Sequence, residues 1–280
     1  MKKKTRISIA LVAVISIAVV SLNFTTIYDA DGFVYGKPDH QTIGVLSFSP
    51  DGTLFFADSK NAAIYGVKLS NDKTDASKQA MNVGEIDSKI ADMMGVTARE
   101  IKINDMATNP VTNSVYLSVA RGSGNDTQYA LLKVSREGES RNGKIELVDL
   151  NNVSYTKYTL SDAPSDADKD RRGNSLRTSS ITDIAFHNNE LFVAGLSNEE
   201  FASTFRRVPF PFKGKQMGSK VEIFHAAHGR YETNAPIRTF MPMEMNGKPY
   251  IVAAYTCTPL VTFPLSDVKD GEHIMGKTAA

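Results

Sequence analysis

Apolar and polar residues alternate along this chain in a phrase that is written four times. The copies begin at Ile43, Ile103, Ile181 and Ile237 and read IGVLSFSPDGTLFFADS, INDMATNPVTNSVYLSVARG, ITDIAFHNNELFVAGLS and IRTFMPMEMNGKPYIVAAYT. Each contains two runs of strand character separated by a turn rich in Pro, Asn, Asp or Gly, the residues that tight hairpins require. Each continues into a third apolar run, AAIYGVKL, QYALLKV, STFRRVPF and PLVTFPL in turn. The unit is therefore an antiparallel meander, and its recurrence predicts an all-β, β-propeller architecture built from four-stranded blades.

Fourth strands are expected at Met81–Ile86, at Lys144–Leu150 or Val153–Leu160, at Lys220–His225 and at His273–Ala280. Gly32–Tyr35 reads as an outer strand donated to close a ring. Because all four visible blades have an outer strand of their own, this predicts a ring of six to eight blades cut short at the C-terminus. Ile86, Ile90, Met93 and Met94 recur at helical spacing before Gly95, which predicts a helix packed over a blade edge. Thr97 and Glu100 have the spacing of a capping box, and the polar, charged stretch Ser161–Ser180 reads as a long surface loop.

The domain division that follows is a targeting segment over residues 1–22 and a propeller over 26–280. Lys2, Lys3, Lys4 and Arg6 precede an apolar run from Ile7 to Leu22, the layout of a secretory signal peptide or an uncleaved signal anchor. Without those four cations the balance of 32 basic and 31 acidic residues turns acidic, which argues against nucleic acid as a partner. The expected location is exported, periplasmic or extracellular, with membrane attachment only through residues 7–22. Cys257 is the only cysteine, so neither an intramolecular disulfide nor a thiolate-built metal site is possible.

The SPDG turn followed by TLFFAD, together with ITDIAF and ELFVAG, resembles the secreted propellers of the YVTN, NHL and gluconolactonase-like group. The resemblance covers the chain from Ile43 onward, is architectural, and implies a fold without a reaction. The chain has no Trp, which excludes Trp-Asp repeats and Trp-stacked quinone sites. It also lacks the Cys-x-x-Cys-His of covalent haem.

In a propeller the blade crossings and second hairpins gather at one end, where polar groups surround the channel mouth. That register brings Arg177 and the run containing His228, Arg230, Tyr231 and Glu232 to the mouth, together with Asp58, Lys60, Arg121 and Cys257. The face is expected to be locally basic, suited to a small anionic ligand or a partner protein. Asp105 and Asp183 occupy one repeat position. Two readings are open for them: acceptors of backbone N–H bonds, or ligands of a divalent cation such as Ca²⁺ or Zn²⁺, the latter implied by the gluconolactonase resemblance. No cofactor is otherwise expected. The functional expectation is an exported binding or scaffold propeller, and the alternative is a metal-dependent hydrolase of the lactonase type.

Overall fold

The computed structural model describes residues 32–69, 81–136, 143–199, 202–225, 229–232, 235–256 and 260–279. Residues 1–22, expected to be a targeting segment, lie outside the described residues, as do His228 and Cys257. The strands are β1 (Val34–Gly36), β2 (Leu46–Phe48), β3 (Thr53–Asp58), β4 (Ala63–Lys68), β5 (Ile101–Thr108), β6 (Val115–Arg121), β7 (Gln128–Arg136), β8 (Gly143–Leu147) and β9 (Val153–Thr159). They continue as β10 (Asp183–His187), β11 (Glu190–Leu196), β12 (Ser203–Pro209), β13 (Ser219–His225), β14 (Arg230–Glu232), β15 (Thr239–Met245), β16 (Lys248–Ala254), β17 (Val261–Pro264) and β18 (His273–Thr278). The helix α1 spans Ile86–Met94.

Each repeat makes a three-stranded antiparallel meander: β2-β3-β4, β5-β6-β7, β10-β11-β12 and β15-β16-β17. The first hairpin of each closes by turn chemistry written in the sequence. Asn188 and Asn189 take φ 49° and 60°, and Asn246 and Gly247 take φ 52° and 72°, the left-handed pair that a two-residue hairpin needs. At the first repeat Gly52 supplies φ 84°, and Asp51 Oδ1 accepts the Thr53 amide at 3.2 Å.

The fourth strands are assigned differently from the sequence expectation. Met81–Ile86 is not the outer strand of the first meander; that place is taken by β9, paired antiparallel to β4 from Ala63–Thr159 to Lys68–Ser154. The whole second meander, completed by β8, is thus inserted between the third and fourth strands of the first. β1 does not close a ring onto the last meander. It adds to β9 as the outermost strand of a five-stranded sheet. The expectation failed here because an outer strand makes few contacts that its own sequence specifies, so a local pattern cannot say which edge it joins.

The third and fourth meanders end in β13 and β18, as the sequence predicts, but these two strands pair with each other in parallel, from Lys220–His273 to Ile223–Gly276. Gly276 permits the junction, since a Cβ there would lie 2.5 Å from a Val261 methyl carbon and 3.0 Å from one of Ile223. The result is a nine-stranded sheet whose end strands β10 and β15 pack beside each other, a curled and nearly closed barrel.

The inner strands neighbour one another in the order β5, β2, β10, β15, so the meanders follow the spatial order second, first, third, fourth. Four hydrophobic cores lie between successive layers. Ile90 of α1 packs on Leu117, Val119, Leu132 and Val134 of the second meander. Tyr116 and Leu131 on its other face meet Leu54, Phe56 and Tyr65 of the first. Phe55, Ala57 and Ile64 then meet Leu191, Val193 and Val208 of the third. Phe192 and Phe205 meet Phe240, Ile251 and Phe263 of the fourth. β3 is buried along its whole length because alternate residues serve two cores, which explains why it reads as a continuous apolar run rather than an alternating one. α1 lies over the face of the second meander rather than its edge, and it ends at Gly95 with φ 67° beside Arg121, whose Nη1 donates to the Met94 carbonyl.

Candidate functional site

At the start of the inner strands, residues from all four repeats surround an open cavity of about 360 Å³. Its cations are Lys60 from the first repeat, Lys102 from the second and Arg238 from the fourth, and among the described residues that line it none carries a carboxylate. Asn104, Tyr129 and Thr182 add hydrogen-bonding groups to the wall. All three cations are exposed. Arg238 Nε donates to Thr256 Oγ1 at 3.0 Å, and neither lysine has an ion-pair partner among the described residues. The cavity thus opens at the start of the inner strands with three cations on its described wall.

The loops around this mouth are held by a set of polar groups behind it. Asp58 accepts the amides of Gln41 at 2.8 Å and Thr42 at 3.1 Å, the Thr42 hydroxyl at 2.7 Å and the Asn61 amide at 3.3 Å. It fastens the crossing before the first inner strand to the hairpin that carries Lys60. Arg177 donates to the Lys60 carbonyl at 3.1 Å and to the Pro164 carbonyl at 2.8 Å. Across the same junction the Ser59 hydroxyl donates to the Ile181 carbonyl and the Ser180 hydroxyl to the Ser59 carbonyl. Asp58 and Arg177, both expected from the sequence at the mouth, thus shape it from behind without lining it.

Asp105 and Asp183 form a matched device. Asp105 accepts the Leu46 amide of the neighbouring inner strand at 2.7 Å and the Met106 amide of its own strand at 2.8 Å. Asp183 accepts the Phe240 amide of the next inner strand at 3.0 Å and its own Ile184 amide at 2.9 Å. The residue before each also reaches across: Asn104 Nδ2 donates to the Ile43 carbonyl at 3.3 Å, and the Thr182 hydroxyl to the Ile237 carbonyl at 2.6 Å. Leu46, Met106, Ile184 and Phe240 are the fourth residues of their repeats, so two carboxylates satisfy the same amide in all four. In the spatial order second, first, third, fourth, the repeats that carry Asp at this position therefore alternate with those that do not. Burial raises the pKa of both carboxyls against the lowering effect of the amides, and the charge of Asp105 adds to the rise at Asp183. A Ca²⁺ or Zn²⁺ ion held there would displace four main-chain donors, and among the described residues no three His, Cys, Asp or Glu side chains converge on such a site. The residues present do not fit a cation.

Arg121 and Tyr231 are not among the residues that line the cavity. Arg121 is engaged with Gln128 at 2.9 Å through Nε and with the end of α1. Arg230, Tyr231 and Glu232 form the short strand β14 at the edge of β13, where Tyr231 meets Phe224 edge-to-face at 5.3 Å, both rings exposed. Lys102, Tyr129, Thr182 and Arg238 were not expected at the site from the sequence. The signal available was position, since Lys102 and Arg238 each adjoin the isoleucine that opens a repeat.

No protein-family model matches the chain, and no curated protein does. A solved structure, the PQQ-bound form of aldose sugar dehydrogenase from Streptomyces coelicolor, aligns with 89% of this chain and 64% of its own at 12% identity and a TM-score of 0.22. The chain thus spans less than two thirds of that protein, and a TM-score so low supports no argument about fold or function.

Proposed function

We propose that this chain is an exported propeller-type binding domain whose basic mouth holds a small anionic molecule. The four meanders would be propeller blades, with their inner strands around a common axis. One observation carries the reading: three of the four repeats send a cation to a single cavity of about 360 Å³, and among the described residues that line it none carries a carboxylate. A cavity of that size suits one small ligand. Hydroxyl and amide groups on its wall would bond the rest of an anion that the cations attract.

Isothermal titration with citrate, glucose 6-phosphate and neutral glucose tests this. The expected result is saturable binding of at least one anion, no binding of glucose, and a loss of about tenfold or more in Lys102→Glu and Arg238→Glu, equivalent to about 1.4 kcal/mol. Charge reversal at exposed positions leaves thermal stability unchanged. Anion binding insensitive to both variants, or absent altogether, overturns the proposal.

A further inference from the structure

One sheet face of this molecule has no layer on it among the described residues. The first three meanders are covered on both faces, by another meander or, at the far end, by α1. The fourth meander is covered on one face only. Phe240 and Ile274 point into the core against the third meander and are 8% and 2% exposed. Their neighbours Met241, Met243 and Met275 point the other way and are 53%, 42% and 51% exposed. Strand register sets these methionines on one face with Val252, Thr262 and Tyr250. Methionine is flexible and polarisable, the residue that fits an irregular apolar partner most readily.

We infer that this methionine-rich face of the fourth meander docks an acidic amphipathic helix of a partner protein. The charged groups on the face favour that occupant. Lys248 and Lys277 lie on it and are exposed. Glu222 of the adjoining strand, the register partner of Met275, brings a carboxylate to the border of this face, where His273 meets it at 3.1 Å, and the four strands of the meander itself add none. A second copy docked face to face would bring lysines onto lysines with no carboxylate from either meander between them, which argues against self-association. The molecule also supplies a precedent at the opposite end of the row. There the outermost sheet face is covered by α1, which sets Ile86, Ile90 and Met94 on the sheet and carries Asp87 and Asp92, with Glu85 at its start, against a single cation, Lys89. This surface is separate from the mouth, and docking on it does not depend on what the mouth binds.

The probe is a synthetic peptide of residues 84–95, GEIDSKIADMMG, added to the full chain labelled with ¹³C at its methionine methyl groups. A helix so short is marginal alone in water, so binding in the range of ~1 mM is expected. The methyl signals of Met241, Met243 and Met275, assigned by Met→Leu variants, should shift saturably. The shifts should vanish with a peptide carrying Glu85→Lys, Asp87→Lys and Asp92→Lys, and weaken about tenfold in the protein variant Lys248→Glu/Lys277→Glu. Equal shifts with the charge-reversed peptide, or none with the acidic one, overturn the proposal. So does movement of these signals with protein concentration alone, which would give the face to a second copy.

Discussion

Asp183 accepts the amide of Phe240 across a sheet junction at 3.0 Å, and this bond has its direct counterpart in the bond from Leu46 to Asp105. Replacing Asp183 by Ala leaves the Ile184 and Phe240 amides without their acceptor, at a cost of about 1–3 kcal/mol for each that water cannot reach. The same holds at Asp105. Thermal denaturation of the two single variants and the double variant should show near-additive losses, because the two carboxylates serve different amides.

The same pair sets a pH dependence. Burial holds both carboxyls above the ordinary carboxylate range in the folded chain, so the folded state binds their protons more tightly than the unfolded state does. Their contribution is fully present below the unfolded pKa of about 3.9 and is lost as pH rises through the raised folded value. The melting temperature of the wild type relative to Asp183→Asn should therefore fall between pH 4 and neutrality. A flat difference would mean that the carboxyl is not desolvated as its surroundings imply.

Arg206 is fully buried and pairs with Asp162 at 2.9 Å in the junction between the first and third meanders. Asp162 also accepts the Gly218 amide at 3.2 Å. Asp162→Ala strands the guanidinium and should cost about 3–5 kcal/mol, whereas the paired change Arg206→Met/Asp162→Leu should recover much of that loss. Urea denaturation of the double-mutant cycle decides between an ion pair that specifies the junction and one that stabilises it.

α1 covers its sheet chiefly through Ile90, which is fully buried. Ile90→Ala should cost about 2–5 kcal/mol. Hydrogen exchange should locate the loosening in α1 and the β6–β7 pair, leaving the nine-stranded sheet protected.

Arg177 acts on the mouth through the Lys60 carbonyl. Arg177→Ala should weaken anion binding several-fold, and the double variant Arg177→Ala/Lys60→Ala should bind no more weakly than Lys60→Ala alone, the non-additivity expected of a positioning contact. Full additivity in titration calorimetry would place Arg177 on the ligand itself.

The meanders were legible because each of their strands carries its own alternation and its own turn. AAIYGVKL, QYALLKV, STFRRVPF and PLVTFPL all became third strands, and Asn246-Gly247 closes the hairpin that its sequence announces. What escaped was the partnership of edges. Val153–Thr159 has the same character whether it joins β7 or β4, and only the placement of the whole second meander decides. The parallel contact of β13 with β18 was invisible for the same reason. At the site, Asp105 and Asp183 stood out by repeat position, and their role as amide acceptors was one of the two readings open. Lys102 and Arg238 look like ordinary surface cations until the strands converge.

The insertion of one meander within another has a consequence for biogenesis. As the nascent chain emerges, β2, β3 and β4 are made early, yet their last partner, β9, is released only after the entire intervening sheet has left the ribosome. The first sheet must therefore wait with an open edge, a hazard for wrong pairing. Its closure locks the intervening sheet in place at the same moment, so the two should gain and lose their structure together.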